Sequence, residues 1–526
     1  MFATDVVKTL GRLVLVLVFI SALAGCGDDA GDTDAHMDEH DHEGDEHDHD
    51  GEHAEGFPGR LMVMDAENHQ VQVFDLESEG VVATFAVPQS MAPGFGTLVR
   101  RTGGGRYGFL LQRTGHFSPH NDPDANQIMV IDSGLTTESH GDHSDPVWGT
   151  PTLLPYQLGH GGGEMDLYRP IHWSSHHGLT AIFSDGSILR GEDGSIIDMV
   201  NGYAVAYDDS EWGSQMRPRP IFKRDVGSHA HGGAVAFHDD LFVVSVGVNE
   251  GYGGLAYGTL PRGVATYRAD AMDWEDDIVQ DFRGLCPRLH GEAVSGDYIA
   301  FGCNEGPEDN GNPNYMGPPI TDRSGVLVLT YNEAADSFTA AEVAYPDDGS
   351  ETTSGGIRGG MGSSYSEGIF MATYGQDYFL KIMAAEVEDG TTDGSSLLEV
   401  EMGSGGNRGY DIEPVDHNFP MGEGRFVVLT RTGNLHIFDL TMLAGDEHVG
   451  SVPGIVGDTR ETCPDVGCPS FALAPGFAYV TDPANNKVYE VHLEDAEIER
   501  EFELNAPTNL VVFGWFEYDE EIVFHE

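Results

Sequence analysis

The stretches RLMVMDAENHQVQVFDL (60–76) and FAYVTDPANNKVYEVHL (477–493) are near copies of one pattern. Each has an apolar run, an aspartate that begins a polar turn, and a second run in which apolar and polar residues alternate. Alternation with a period of two predicts β-strands, and the polar residues between the runs predict a turn. Repeated hairpins of this kind are typical of β-propeller blades.

Similar units recur about every 50 residues, and no long segment has helical periodicity. We therefore predict an all-β chain that forms a β-propeller of about eight blades, with seven as the alternative if the irregular third unit is partly an insertion. The stretch NLVVFGW (509–515) has no unit of its own, and we expect it to close the ring as the inner strand of the first blade. The predicted blades lie near 57–91, 92–160, 161–225, 226–284, 285–353, 354–405, 406–458 and 459–507.

The N-terminus predicts export. Two basic residues, Lys8 and Arg12, precede the apolar run LVLVLVFISALA, which is too short to span a membrane but has the shape of a secretory signal peptide. The run ends in LAGC (23–26), which resembles the lipobox of bacterial lipoproteins, so Cys26 is the predicted lipidation site. An ordinary cleaved signal with a chance cysteine is the alternative.

These features divide the chain into a lipoprotein signal peptide (1–26), a disordered tether (27–56) and a propeller domain (57–526). No later segment is apolar enough to cross a bilayer, so the lipid would be the only membrane anchor. The expected location is the periplasm or the cell surface, anchored to the cell envelope.

The tether is rich in histidine, aspartate and glutamate and contains a doubled unit, DEHDHEG followed by DEHDHDG, at 38–51. It is either a solvated acidic tail or a flexible arm that collects metal. A disordered arm binds each ion weakly because capture must order the chain, but it offers many sites. The predicted accessory ligands are His36, His40, His42, His47, His49 and His53.

The charge balance excludes one class of partner. The chain has 26 basic and 88 acidic residues, for a formal charge of −62. A phosphate backbone would be repelled, so we expect no nucleic-acid partner. The surplus of acidic groups also concentrates cations near the surface.

Four cysteines follow Cys26. In an exported chain an even number favours disulfides, and the local pairing predicts Cys286 with Cys303 and Cys463 with Cys468. A zinc–thiolate site is the alternative, but neither pair has the CxxC spacing that such sites favour.

The repeats also align four histidines. Counting back eleven residues from the end of YIAF, LTAIF and FVV reaches His290, His172 and His417, and a turn two residues longer in the fourth unit brings in His231. Each would begin an innermost strand, where the blades meet at one mouth of the channel. Imidazoles converging there predict a zinc site, with hydrogen-bonded structural histidines as the alternative.

A second group lies in a long loop of the second unit, ESHGDHSD, where His140, Asp142 and His143 fall within four residues. Two imidazoles and one carboxylate make a partial metal site. We expect this loop to lie over the channel mouth.

CPRLHGEAVSGDYIAFGCNEG, IDSGLTTESHGDHSDP, HAHGGAVAF and the N-terminal His/Asp/Glu tract resemble the AztD-type periplasmic zinc metallochaperones from about residue 60 to 515. The resemblance implies a propeller that binds Zn(II) and delivers it to the substrate-binding protein of a zinc ABC transporter. It also implies His290, His231, His140 and His143 as ligands.

The sequence leaves two rival functions open. A propeller hydrolase or lactonase could use a channel metal and a carboxylate such as Glu292 to activate water, but the sequence contains no GxSxG elbow and no cofactor fingerprint, so we predict that the protein is not an enzyme. A cell-surface interaction propeller would bind no metal in its channel. Imidazole also suits nickel and copper, so the residues alone do not select zinc.

Overall fold

A computed structural model describes most of the chain from residue 56 to residue 516. The described residues are 56–87, 97–112, 128–139, 144–158, 167, 170–190, 196–214, 216–228, 232–238, 240–246, 261, 263–269, 277–286, 289–303, 325–344, 362–363, 368–374, 377–402, 406–414, 424–441, 448–459 and 468–516.

The described strands form eight antiparallel blades, which confirms the predicted fold and blade number. Blade 1 contains β1 (Arg60–Asp65), β2 (Gln70–Asp75), β3 (Gly80–Ala86) and the C-terminal β35 (Pro507–Phe513). Blade 2 contains β4 (Thr97–Arg101), β5 (Tyr107–Gln112), β6 (Ile128–Asp132) and β9 (Thr152–Leu158), with a separate hairpin of β7 (Leu135–Ser139) and β8 (Ser144–Trp148). Blade 3 contains β10 (Pro170–His176), β11 (Leu179–Ser184), β12 (Ser187–Arg190), β13 (Ile196–Asp208) and β14 (Phe222–Ser228).

The remaining blades each have four strands in chain order. Blade 4 contains β15 (Ala234–His238), β16 (Leu241–Ser245), β17 (Gly263–Arg268) and β18 (Gln280–Arg283). Blade 5 contains β19 (Leu289–Ser295), β20 (Tyr298–Cys303), β21 (Gly325–Asn332) and β22 (Ser337–Ala344). Blade 6 contains β23 (Gly362–Ser363), β24 (Ile369–Tyr374), β25 (Tyr378–Met383) and β26 (Ser395–Glu399).

Blade 7 contains β27 (Asn407–Ile412), β28 (Arg425–Thr430), β29 (Leu435–Asp439) and β30 (His448–Val452). Blade 8 contains β31 (Phe471–Ala474), β32 (Phe477–Asp482), β33 (Lys487–His492) and β34 (Glu497–Glu503). Single-turn 3-10 helices lie at Asp209–Glu211, Glu333–Ala335 and Ala384–Glu386. No helix among the described residues is long and apolar enough to cross a membrane.

The two near-copy hairpins fold in the same way. Asp65 accepts hydrogen bonds from the backbone N–H groups of residues 67 and 68 at 3.1 and 3.0 Å, and Asp482 accepts them from residues 484 and 485 at 3.1 and 3.3 Å. His69 and Asn486 then take the left-handed conformation, with φ of 50° and 57°. An aspartate that binds the turn's own N–H groups therefore sets both hairpins.

The ring closes through β35, as predicted. This strand pairs with β1, so the C-terminal strand is the innermost strand of blade 1. The apolar core is divided into eight clusters, one between each pair of neighbouring blades, and the cluster between blades 8 and 1 joins Phe477 to Leu61 and Val512. Each blade is thus buried on both faces by its neighbours.

The alternating strand direction defines two faces of the propeller. The innermost strands begin at what we call the first face, and they end at the second face. In blade 2 the hairpin β7–β8 follows the third strand, β6, so its base belongs to the second face. Arg60 holds that base by donating to the carbonyl oxygens of Ser133 and Gly149, each at 2.7 Å.

Candidate metal centre

His172 lies near the start of β10, the innermost strand of blade 3, at the first face. The register between β10 and β11 shifts between Pro170 and His172, which indicates a β-bulge. Bulges redirect side chains. The imidazole of His172 meets the ring of Phe183 edge-on, with the ring centroids 6.3 Å apart.

His290 and Glu292 lie near the start of β19, the innermost strand of blade 5. Leu289 pairs with Cys303 and Glu292 pairs with Phe301, so β19 contains one extra residue here. Gly291 occupies that bulge with φ of 87°, a conformation that only glycine adopts readily. The sequence His-Gly-Glu therefore places two potential ligands on either side of a bulge.

A disulfide lies next to this strand start. Cys286 and Cys303 are bonded, with their Cα atoms 4.9 Å apart, which confirms the predicted pair. Cys303 ends β20 opposite Leu289, so the bond ties the segment entering β19 to its neighbour. Cys468 is also disulfide-bonded, whereas Cys463 lies outside the described residues.

The side chains of blades 3 and 5 meet. Nδ1 of His172 lies 3.0 Å from Oε2 of Glu292, and the two side chains are only 12% and 3% exposed. The distance is that of an ion pair, and Oε2 accepts no hydrogen bond from the described residues. The ring of His290 lies 6.3 Å from that of His172, at 81°. Two imidazoles and one buried carboxylate therefore share one small region.

Blade 4 lies between these two blades, and its Gly233 makes the contact possible. A Cβ on Gly233, the residue before β15, would lie 2.3 Å from Oε2 of Glu292. The carboxylate thus occupies the space that any other residue at 233 would fill. The missing side chain lets Glu292 reach across blade 4 to His172.

The donor set fits a zinc ion with one adjustment. Ligand atoms on a tetrahedral zinc are about 3.3 Å apart, close to the observed His172–Glu292 distance, and two zinc-bound imidazoles have ring centres about 5 Å apart. His290 must therefore turn inward by about 1 Å to bind the same ion. Zinc would also bind the buried oxygen Oε2 of Glu292, which accepts no hydrogen bond from the described residues.

A tighter cluster of possible ligands has a structural explanation. The ligand atoms of His492, Asp495 and Glu499 lie within 4.8 Å of one another, the one such group of three among the described residues. His492 contacts Asp495 at 3.1 Å, and Asp495 also accepts from the backbone N–H of Glu497. Both acids are exposed, and Asp495 caps the turn between β33 and β34.

The innermost strand of blade 7 is β27 (Asn407–Ile412), and the next strand, β28, begins at Arg425. The connection between them is longer than the short turn that the repeat count assumed. His417 lies outside the described residues, so its role as a ligand stays a prediction.

Several other predicted residues lie outside the described part of the chain. They are Cys26, the six tether histidines (His36, His40, His42, His47, His49 and His53), His140, Asp142, His143, His231 and His417 itself. The structure does describe the strands on either side of the HGDH loop, β7 and β8. Their base belongs to the second face, opposite the face where His172 lies. The expected position of the loop over the channel mouth stays a prediction.

The sequence reasoning did not count Glu292 or Gly233 as part of the metal site. Glu292 appeared there only as a possible water-activating group. The available signal was the dipeptide His-Gly, which occurs at 290–291 near the start of β19 and at 231–232 shortly before β15 in the sequence.

No protein-family model matches the chain. A curated protein named zinc chaperone AztD, from Citrobacter koseri, is 24% identical over 478 residues, and the match covers 86% of each chain. Two solved structures of AztD from the same organism, one of them apo, superpose with TM-scores of 0.60 and 0.59 at 22% identity. They cover 86% of this chain and 97% of theirs. The comparisons therefore confirm the resemblance to AztD and show a shared fold.

Proposed function

We propose that the protein is a zinc metallochaperone whose specific site is formed by His172, His290 and Glu292 at the first face, with His231 as a further ligand. The observation that carries the proposal is the buried contact between His172 and Glu292 across Gly233. His231 is included because it lies two residues before Gly233 in the sequence, within the motif HAHGGAVAF. Neutral imidazoles with one carboxylate are a donor set that zinc prefers.

Zinc is the cargo in this proposal. The bulges at His172 and Gly291 place the ligands before any ion arrives, so binding orders little of the chain. Ligands on separate blades can also be released one at a time, which suits transfer through shared ligands to an acceptor.

The proposed acceptor is the substrate-binding protein of a zinc ABC transporter, in the periplasm. The name of the Citrobacter koseri relative supports zinc delivery. The acidic, histidine-rich tether and the lipid at Cys26 would keep a metal-collecting arm near the membrane, as proposed from the sequence. HGDH at 140–143 would serve as a second, mobile donor group.

The rival function is a metal-dependent hydrolase, since a buried carboxylate next to a metal can activate water. We favour the chaperone because Glu292 already reaches His172, as a ligand or ligand partner would, and because the relative is named a chaperone. Ester and lactone turnover by the zinc-loaded protein distinguishes the two. Turnover that the Glu292→Gln variant loses would establish the hydrolase.

Metal content tests the site. The full chain, purified without added metal and dialysed against a moderate chelator, should retain at least one tightly bound zinc by elemental analysis. The double variant His172→Ala/His290→Ala should lose that ion and keep its circular dichroism spectrum. The matched control is His436→Ala/His448→Ala, because these rings are also 6.3 Å apart but lie on outer strands. Equal zinc content in all three proteins contradicts the site.

Transfer tests the chaperone. The zinc-loaded chain should deliver its ion to the apo substrate-binding protein at a rate that rises with acceptor concentration, because shared ligands require a complex. A rate that stays constant and equals spontaneous release to a chelator contradicts direct transfer.

A further inference from the structure

A second group of histidines lies at the other end of β10. His176 ends that strand, His177 forms the turn that follows, and His238 ends β15 in the next blade. The ring centroids of His176 and His177 are 3.9 Å apart, and those of His177 and His238 are 5.8 Å apart. These side chains lie at the second face, where the innermost strands end.

His176 is the buried member of this group. It is 4% exposed and donates a hydrogen bond to the backbone carbonyl of Gly296, in the first turn of blade 5. Its Nε2 is buried and has no hydrogen-bond partner among the described residues, so the donor to Gly296 is Nδ1. The imidazole is therefore the neutral tautomer with its lone pair on Nε2.

That arrangement is the one in which proteins hold metal-binding histidines. A ligating imidazole usually donates its other N–H to a backbone carbonyl or carboxylate, which fixes the ring and the tautomer. A buried acceptor nitrogen without a donor destabilises the fold, and a bound cation would remove that cost. His176 therefore links blade 3 to blade 5 past blade 4 at the second face, as His172 does at the first face.

Acidic residues border this group of histidines at the second face. Arg268 is paired with Asp240 at 2.9 Å and with Asp336, and Tyr331 donates to Asp336 at 3.0 Å. The ring of Tyr331 lies 4.9 Å from His238. Two carboxylates share a single guanidinium here, so a cation near the histidines meets a net negative rim.

We propose that His176, His177 and His238 form a second site for a divalent metal of the zinc class, on the face opposite the first site. The 5.8 Å between the rings of His177 and His238 is close to the separation of two imidazoles on one ion, about 5 Å. The bond to Gly296 holds His176 in place, so the ring of His177, which lies in the turn, must move about 1 Å away from it to join the same ion. The site does not depend on the proposed function, because no residue is shared.

The two sites are far enough apart to be loaded independently. His172 and His176 are four residues apart on one strand, about 13 Å at 3.3 Å per residue. Sites separated by more than about 10 Å with no shared partner behave additively. Each site can therefore be removed without disturbing the other.

Competition between the full-length protein and a chromophoric zinc chelator tests the proposal. The variant His177→Asn/His238→Gln keeps a left-handed-tolerant residue in the turn and should bind one Zn(II) fewer than the unmodified protein. His436→Asn/His448→Gln is the control and should bind the same number as the unmodified protein. An unchanged number in the first variant overturns the second site, whereas an unchanged number in His172→Ala/His290→Ala contradicts only the first site.

Chemical footprinting needs no substitution at the second site. In His172→Ala/His290→Ala, saturating Zn(II) should reduce modification of His177 and His238 by diethyl pyrocarbonate at least severalfold. His69, a partly exposed histidine in a turn of blade 1, should be modified equally with and without zinc. If zinc changes the modification of neither His177 nor His238, as expected for His69, the proposal is overturned.

Discussion

Replacing Gly233 with alanine should weaken zinc binding while leaving the propeller folded. The new Cβ would lie 2.3 Å from Oε2 of Glu292, 2.4 Å from its Cδ and 2.9 Å from its Cγ. Ordinary van der Waals contact begins near 3.4 Å, so the carboxylate must retreat by about 1 Å. Metal sites tolerate ligand displacements of only about 0.2 Å.

The expected loss follows from that displacement. Removing a well-placed group from a metal site usually lowers affinity about 10- to 100-fold, or about 1.4–2.8 kcal/mol. The backbone of Gly233 has no positive φ, so alanine adds no backbone strain there. We expect the zinc dissociation constant of Gly233→Ala to rise by this factor, measured by chelator competition, with unfolding changed by less than about 1 kcal/mol.

The matched control is Gly409→Ala, in the innermost strand of blade 7. Its new Cβ would meet only Cε1 of Phe471, at 3.5 Å, so zinc affinity should stay unchanged. A second variant, Gly233→Ala/Glu292→Asp, shortens the acid by one methylene and should recover part of the affinity relative to Gly233→Ala. Unchanged zinc affinity in Gly233→Ala would refute the reasoning that Glu292 holds the ion across blade 4.

Three further predictions concern stability. Replacing Arg60 with methionine should cost about 3 kcal/mol of unfolding free energy, measured in urea. This residue is only 6% exposed, and its guanidinium binds Asp75 and both carbonyl oxygens at the base of β7–β8. The control is Arg100→Met, which removes a guanidinium that donates to the adjacent carbonyl of Val99 and should cost less than about 1 kcal/mol. Replacing Cys286 and Cys303 with serine should cost about 3 kcal/mol, given a sequence separation of 17, and unchanged stability would show that the bond does not constrain the unfolded chain. Burial raises the pKa of Asp209 to about 6, although Thr180 and Trp212 donate hydrogen bonds to its carboxylate. Because the folded-state pKa exceeds the ordinary value of 3.8, the protonated carboxyl contributes its full stability below about pH 4, and up to about 3 kcal/mol of unfolding free energy is lost as the pH rises through 6. Asp209→Asn should remove this decline in unfolding free energy when denaturation is measured as a function of pH. A pH profile identical to that of the unmodified protein would contradict the raised pKa.

Most of the fold could be predicted because its signals are local. Asp65 and Asp482 each bind the N–H groups of the next two or three residues, so the turn depends on nearby sequence alone. The closing strand β35 was predictable by elimination, since an unpaired apolar strand in a ring has one vacant edge to occupy.

The site was only partly predictable, because counting residues assumes turns of constant length. The count holds in blades 3 and 5, where two-residue turns join β10 to β11 and β19 to β20. In blade 7, residues 413–424 separate β27 from β28, so a count of eleven residues back from β28 does not reach the start of the innermost strand. An insertion in a turn leaves the pairing of the flanking strands unchanged. It does change the number of residues between the strands, so a count across the turn reaches the wrong position.

The contact between His172 and Glu292 could not be inferred from periodicity at all, because it joins blades that are not neighbours in the chain. It requires that the strand between them carries almost no side chain at its start, and blade 4 meets that condition with glycine at 232 and 233. The same strand continues with alanine at 234 and 236, and at its far end His176 crosses to Gly296. At the first face, the missing side chain of Gly233 thus allows a polar link between the two neighbours of β15, whereas at the second face His176 packs against Phe237 of that strand. Ala234 and Ala236 pack in the apolar cluster between blades 3 and 4, so larger residues there would disturb the core directly. A larger residue at 233 instead meets the carboxylate of Glu292, so at this position loss of metal binding should precede loss of the fold.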